Sequence, residues 1–392
     1  MIPQAEITAE AARWGIQQQV VEKDYTLGWL LAGISQHPEL AESWIFKGGT
    51  CLRKCYYETF RFSEDLDFTV TSEGSFDEEV LKVIFYQISE WIFSQIGLKL
   101  VIDEKTFKTT INKRGNPCLQ IRIGYVGPNP QPINPKIKID LTNDELIAGS
   151  VIKKEIHHSY SDWTTKYLVS SYSLEELTAE KIRALYERCR PRDLYDVIHL
   201  YKNPNLIGVA RTVKVLLEAK CQYVGIDFPT PASVKTDENK RDLVSDWNDM
   251  LAHQLPPPLL DWEPFWDEID LVFDWLNGAS TPISLPPAPH DAIPSTLLDA
   301  SALNFSRSGI NMQLLRYSAL NRLKIVIYYE PTNGEIGPRK IEPYSLRETK
   351  DRKVLLFAVN GEGELRSYRL DRIHGMSPTN TKYVPRYKVE IG

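Results

Sequence analysis

A chain of 392 residues, 42% hydrophobic and 25% charged, has enough apolar side chain for a packed core and is too long for one ordinary domain. That balance excludes wholesale disorder, and the chain contains no run of 18 apolar residues to span a membrane. The net charge of −6 hides an uneven spread: residues 301–392 carry 16 Lys and Arg against 9 Asp and Glu, a net +7, which leaves −13 on the rest. A basic tail on an acidic body predicts a polyanion contact through the tail, against the plainer reading of a solvated basic surface.

The opening stretch, MIPQAEITAEAARWG, lacks a charged-then-apolar signal pattern. With five cysteines at no framework spacing, it predicts a cytoplasmic protein with reduced thiols. Cys51 and Cys55 have no second Cys/His pair at zinc spacing and read as packing residues. Residues 19–35 have helical periodicity, with Val20, Asp24, Leu27, Leu31 and Ile34 on one face. WIFK (44–47) reads as a strand, followed by Gly48-Gly49 and a helical stretch, Thr50–Tyr57. In DLDFTV (65–70), Leu66, Phe68 and Val70 face one side and Asp65 and Asp67 the other.

An amphipathic helix is predicted over 76–97 and strands over 99–104, 118–126 and 136–142; in the last, Asp140 lies opposite Ile137, Ile139 and Leu141. Ser173 and Glu176 match a capping box for a helix running to about Cys189, and Pro191 opens the next helix, 191–202. Residues 205–278 read as mainly helical, broken near 256–264. TPISLPPAPHDAIPS (281–295) reads as a semi-rigid proline-rich linker. The predicted domains are a core over 1–170, a helical subdomain over 171–280, a linker over 281–300 and a small β domain over 301–392.

The polar faces suggest chemistry. If the strands bearing Asp65, Asp67 and Asp140 are neighbours, three carboxylates converge in a donor set suited to Mg²⁺. Two such ions could clamp a triphosphate and activate an attacking hydroxyl. The Gly48-Gly49-Thr50 turn offers backbone N–H groups and a hydroxyl to phosphate. Each feature alone is more often an ordinary turn or a solvated strand face; their order along the chain favours a site. Lys181 borders the apolar face of its helix and needs a partner or a cleft, with snorkelling as the plain alternative. Asp24, on an apolar face with Lys23 beside it, calls for either catalysis or a structural ion pair with an arginine such as Arg188 or Arg192. Arg61 and Ser63 could reach a phosphate or cap the strand entry.

EKDYTLGWLL (22–31), FKGGTCL (46–52), RFSEDLDF (61–68), IKIDLT (137–142) and EELTAEKIRALYERCRPRDLYDV (175–197) resemble, in order, the AbiEii/AbiGii family of phage-defence toxins, within the DNA polymerase β-like nucleotidyltransferase superfamily. The resemblance implies an α+β fold, with a nucleotidyltransferase-like mixed sheet, flanking helices and a helical subdomain. It implies phosphate contacts from Gly48, Gly49 and Thr50, metal binding by Asp65 and Asp67, and Asp140 as ligand or general base. Lys181 and Asp193 would belong to a later motif that contacts the nucleotide or supports the site.

At the C-terminal end, residues 323–331, 339–360 and 363–380 alternate like strands and resemble a WYL domain, an SH3-like β-barrel. Val354-Leu355-Leu356 stands where the signature tripeptide would be, but Arg366, Arg369 and Arg372 match and suit phosphate. Even spacing puts Arg366 and Arg372 on one strand face.

Three functions follow from these features. The first is a Mg²⁺-dependent nucleotidyltransferase moving a nucleoside monophosphate from an NTP onto RNA, DNA or protein to block phage growth. The second is a DNA glycosylase that uses the same carboxylates without a metal to excise modified phage bases. The third is a non-catalytic, nucleic-acid-responsive regulator. An antitoxin or regulator partner is compatible with each.

Overall fold

The computed structural model describes residues 1–57, 61–112, 114–129, 131–203, 206, 208–257, 259–279, 295–298, 310–332 and 334–391. They fall into two compact units. The first comprises Met1–Cys189, Thr212–Val234 and Asp249–Leu255; the second comprises Arg190–Arg211, Lys235–Asn248 and the described part of Pro256–Gly392.

The chain starts with helices α1 (Gln4–Trp14) and α2 (Gln18–Gln36). α2 is buried nearly all round, from Val20 to Ser35 except Lys23, rather than along the single face predicted. Strand β1 (Trp44–Lys47) runs into a single helical turn, α3 (Gly48–Cys51), and a π-helical turn over Leu52–Tyr56. Strand β2 (Asp65–Val70) follows. Helix α4 (Glu78–Ile96) starts where Asp77 accepts from the Glu79 and Val80 N–H groups, and stops at Gly97, whose φ of 72° few other residues tolerate.

Strands β3 (Lys99–Val101), β4 (Phe107–Ile111), β5 (Pro117–Val126), β6 (Lys136–Thr142), β7 (Ile152–Glu155) and β8 (Leu168–Ser171) complete an eight-stranded sheet. Its order is β3-β5-β6-β2-β1-β8-β7, with β4 on the outer side of β5. The β2/β6 and β1/β8 pairs are parallel and the others antiparallel, so the sheet is mixed. Leu66, Phe68, Ile137, Ile139 and Leu141 turn into the core with Trp44, Phe46 and Phe85. This leaves the carboxylates on the opposite face.

Helix α5 (Leu174–Arg188) is capped by Ser173, which accepts from the Glu176 N–H at 3.2 Å. The Glu176 side chain does not return to Ser173 as in a capping box. It accepts from the N–H groups of Ala148 and Gly149 and from Lys220, because its side chain is fully buried and those donors surround it. Helices α6 (Pro191–Tyr201), α7 (Ala210–Val224), α8 (Pro231–Val234), α9 (Asp237–Leu251), α10 (Glu263–Asp267) and α11 (Ile269–Leu276) make up the helical region. In the second unit α10 and α11 pack on α6.

Most of the linker expected over 281–300 lies outside the described residues. Within it, β9 (Ser295–Leu297) forms a strand. It is followed by α12 (Met312–Leu320), β10 (Leu323–Tyr329), β11 (Gly337–Thr349), β12 (Val354–Val359), β13 (Leu365–Arg369) and β14 (Ile373–Lys382). These form an antiparallel sheet, β13-β12-β11-β10-β14, with β9 on β11. The path is open among the described residues, so the SH3-like barrel expected here is not closed. β11 changes partner midway, pairing with β10 up to Ile341 and with β12 from Glu342, and its register shifts between Pro343 and Ser345. Arg366 is on β13, but Arg372 ends a 3₁₀ turn, Leu370–Arg372, so the strand face predicted to carry both does not form. No helix among the described residues is long and apolar enough to cross a membrane.

Candidate functional site

Parallel pairing of β2 with β6 sets Asp67 opposite Asp140 and Asp65 opposite Lys138. Neighbouring strands are about 4.8 Å apart, so all four side chains share one polar patch. Antiparallel pairing of β1 with β2 places Lys47 opposite Asp67 and delivers the chain directly into Gly48. Gly48 has φ +80°, and a Cβ there would lie 2.2 Å from Asp67 Oδ2, so both backbone and space require glycine. At Gly49, a Cβ would lie 2.8 Å from Arg61 Nη2 and 3.1 Å from Ser63 Oγ.

These elements form one wall of a cleft of about 260 Å³, and α5 forms the other. Gly48, Gly49, Asp67, Asp140, Lys181 and Arg188 line it. Sequence reasoning missed Lys47, Thr142, Glu145, Glu180, Arg183 and Glu187 in the same walls. A signal for part of this was present: Leu177, Glu180, Lys181, Ala184, Glu187 and Arg188 form a helical stripe of i, i+3, i+4, i+7 spacing. Lys138 also had a signal, since it lies two residues before Asp140 on the same strand face.

Burial chiefly pushes the Asp67 carboxyl up to about 6; Asp140 and Asp65 add to this, while Lys47 and Lys181 oppose it. Asp65 is raised too, first by burial, with Lys138 and Lys23 opposing. Across the cleft, burial would raise Glu180, but Lys47, Lys220, Arg183 and Lys181 together hold it at about 2. Burial lowers the Lys47 ammonium, against the pull of Glu180 and Asp67. Lys47 pairs with Glu145 and lies 3.6 Å from Glu180. Thr142 Oγ1, Glu180 Oε2 and Arg183 Nε are buried without a hydrogen-bond partner, and all three belong to cleft-lining residues.

The expected convergence of three carboxylates is only partly formed. Among the described residues no three acidic, His or Cys side chains gather closely enough to hold a metal. The cause is local: Asp140 pairs with Lys138 and accepts from Gln120 Nε2 at 3.0 Å. The donor chemistry nevertheless fits a hard divalent ion. Asp67 and Asp140 are strand neighbours, the Asp67 carboxylate is under-compensated, and Glu180 keeps an unsatisfied oxygen.

Other predicted residues are placed differently. Thr50 is fully buried and its hydroxyl donates to the Asp65 carbonyl, fastening α3 to β2 instead of facing the cleft. Arg61, 3% exposed, donates to the Phe62 carbonyl at 3.2 Å and to Gln254 at 2.9 Å, which is a structural bracing role. Asp24 is 3% exposed and forms a buried ion pair, but with Arg53 and Lys54, each at 2.8 Å, and with the Tyr160 hydroxyl at 3.1 Å. These replace the Arg188 or Arg192 expected, because the π-helical turn carries residues 53 and 54 against α2. Lys23 pairs with Glu64 at 2.9 Å. Arg192 and the buried Asp193 belong to α6 of the second unit.

In the C-terminal sheet, Arg366 pairs with Glu364 at 2.5 Å and Arg369 with Asp371 at 2.9 Å. Arg372 donates to Thr332 at 2.8 Å.

The family profile described as "Nucleotidyl transferase AbiEii toxin, Type IV TA system" matches residues 29–271, and the WYL domain profile matches residues 311–378. No curated protein matches. Among solved structures, MenT4, a nucleotidyltransferase toxin from Mycobacterium tuberculosis H37Rv, aligns with 71% of this chain and 90% of its own at 18% identity, with a TM-score of 0.49. Proteasome accessory factor B/C of Arthrobacter aurescens aligns with 61% of this chain and 27% of its own at 12% identity, with a TM-score of 0.18. With most of its length matched by the first profile, the chain belongs to the AbiEii family of nucleotidyltransferase toxins and carries a WYL domain after the transferase region.

Proposed function

We propose that the Asp67–Asp140 cleft is the active site of a Mg²⁺-dependent transferase that moves a nucleoside monophosphate from an NTP onto a nucleic-acid or protein acceptor, in the cytoplasm, to stop phage growth. The observation that carries this reading is the meeting of the positive-φ Gly48 turn, two cross-strand carboxylates and the α5 cations in one cleft. Backbone N–H groups of Gly48 and Gly49 would meet phosphate oxygens, and Lys181 and Arg188 would pair with the triphosphate. Asp67, Asp140 and the adjacent Asp65 are the residues that would hold Mg²⁺, which supplies charge neutralisation of the triphosphate when bound. A carboxylate of the same strand face would orient the acceptor hydroxyl.

We take residues 1–170 as the core, 171–280 as its helical subdomain and 301–392 as a domain that senses nucleic acid through Arg366, Arg369 and Arg372. Its net charge of +7 supports that role. Asp193 and Arg192 are proposed as supporting residues. An antitoxin partner is compatible with a family of Type IV toxin–antitoxin systems. Glycosidic-bond hydrolysis by the same carboxylates finds no support in the family match.

The test is incubation of the full chain with each α-³²P-labelled NTP, Mg²⁺ and total RNA or DNA. Label transfer that is lost in Asp67→Ala is expected. Transfer that survives in that variant overturns the site assignment. Alkali-labile abasic sites formed in EDTA with no label transfer would replace the transferase by a glycosylase.

A further inference from the structure

The first unit holds a second cleft, of about 390 Å³, which the site above leaves unused. Its walls include Gln19, Lys23, Tyr125, Gln131, Lys136 and His253. Strand β6 connects the two clefts: Lys136 lines the second, Asp140 and Thr142 line the first, and Lys138 stands between them. Even spacing puts all four on one strand face. On the neighbouring chain segment, Glu64, just before β2, lines the second cleft and Asp67, within β2, lines the first. Lys136 and Asp140 are about 13 Å apart along the strand, so the face is a short track with a cleft at each end.

The second cleft has the chemistry of a nucleotide seat. Ile133 and Pro135 give it an apolar rim over the buried Tyr125, and Gln17, Gln19 and Gln131 give it amides that can pair with base edges. Lys136 and Lys23 supply cations, the second already paired with Glu64. Its two acids have partners already: Glu64 faces Lys23 at 2.9 Å and His253 at 3.2 Å, and Glu22 accepts from the Asn129 N–H at 2.9 Å. Lys136 makes a loose contact with Asp103 at 3.9 Å, and both side chains are about half exposed.

We propose that this cleft seats the terminal nucleoside of a nucleic-acid acceptor, with its hydroxyl directed along the β2–β6 face toward the nucleotide in the first cleft. The inference rests on the transferase reading. In the transfer step the hydroxyl oxygen bonds to the α-phosphorus and the bond from that phosphorus to the bridging oxygen breaks. Pyrophosphate leaves, and the hydroxyl proton passes to a carboxylate of the shared face.

The experiment compares the full-length wild type with Gln131→Ala/Lys136→Glu, using whichever RNA or DNA oligonucleotide the wild type labels. The KM for the oligonucleotide rises about tenfold or more while the KM for NTP holds within about twofold. In parallel, an oligonucleotide ending in 4-thiouridine is photo-crosslinked to Asp67→Ala, and adducts fall within residues 125–136. Unchanged oligonucleotide KM in a folded double variant, or adducts confined to 177–188, overturns the acceptor seat and leaves the transferase reading standing. A wild type that labels protein but no nucleic acid also overturns the seat. A wild type that transfers no label at all overturns the transferase reading, and the seat with it.

Discussion

The Cβ that Gly48 lacks would lie 2.2 Å from Oδ2 of Asp67. The glycine turn and the Asp-x-Asp strand are therefore one mechanical unit: the carboxylate occupies the space a side chain would need. Gly48→Ala meets this clash at a φ of +80°, where an L side chain costs roughly 1–2 kcal/mol. The variant should melt a few degrees lower and lose transfer by about a hundredfold, since a carboxylate displaced by about 1 Å is enough for that. Measured rate and melting temperature separate the two effects. A folded Gly48→Ala protein with the wild-type rate would contradict the coupling.

Asp67 makes a second prediction, in pH. Its folded-state value of about 6 exceeds the ordinary 3.8, so the folded protein takes up its proton more readily than the unfolded chain. Stability from this group is therefore complete below about pH 4 and falls as pH rises through 6. Asp67→Asn should thus be more stable than wild type at pH 7.5, by about 1–3 kcal/mol given the partial exposure, and nearly equal to it at pH 4. Urea midpoints at the two pH values check this. A variant less stable than wild type at pH 7.5 would show that the buried charge is already compensated.

Asp24 behaves in the opposite sense. Burial opposes its charge, but Arg53 and Lys54 more than compensate and hold the carboxyl far below its usual range. Its contribution is present above about pH 4 and is lost on acidification. Asp24→Ala leaves two buried cations facing each other and should cost about 3–5 kcal/mol. Nucleotide affinity of the remaining folded protein should be unchanged, because Asp24 is not in either cleft. Chemical unfolding with a nucleotide titration tests both halves, and a large loss of affinity without loss of stability would reassign Asp24 to the site.

These residues also indicate what a sequence conveys. Alternation in DLDFTV and KIKIDLT gives both strands and their polar faces, because period two is visible in six or seven residues. Their adjacency depends on a parallel pairing across an intervening helix and three strands, which no local pattern encodes. Asp24 reads as needing a cation, but its partners come from a π-helical turn 29 and 30 residues away. Strand β8 is four residues, LVSS, too short for a periodic signal, yet it supplies the parallel neighbour of β1. Thr50 reads as an exposed turn hydroxyl, because burial by β2 is a tertiary fact. The α5 cleft stripe is legible as polar residues at helical spacing, but only Lys181 and Arg188 stand out in it without knowledge of the facing wall.

The arginines of the C-terminal sheet give the last prediction. Arg366 and Arg369 each bond a nearby acid, so neither presents a bare charge, while Arg372 donates to a neutral hydroxyl. A phosphate must displace Glu364 or Asp371 to reach the first two, whereas at Arg372 it displaces the Thr332 hydroxyl, a weaker competitor. Arg372→Ala should therefore weaken nucleic-acid binding more than Arg366→Ala, and lower the slope of log K against log salt by about one unit for each phosphate no longer neutralised. Removing the competitor, Glu364→Gln, should strengthen binding at low salt, because it releases Arg366. Filter binding from low to moderate salt resolves these slopes. Equal slopes in wild type and Arg372→Ala would move the nucleic-acid interface away from this sheet.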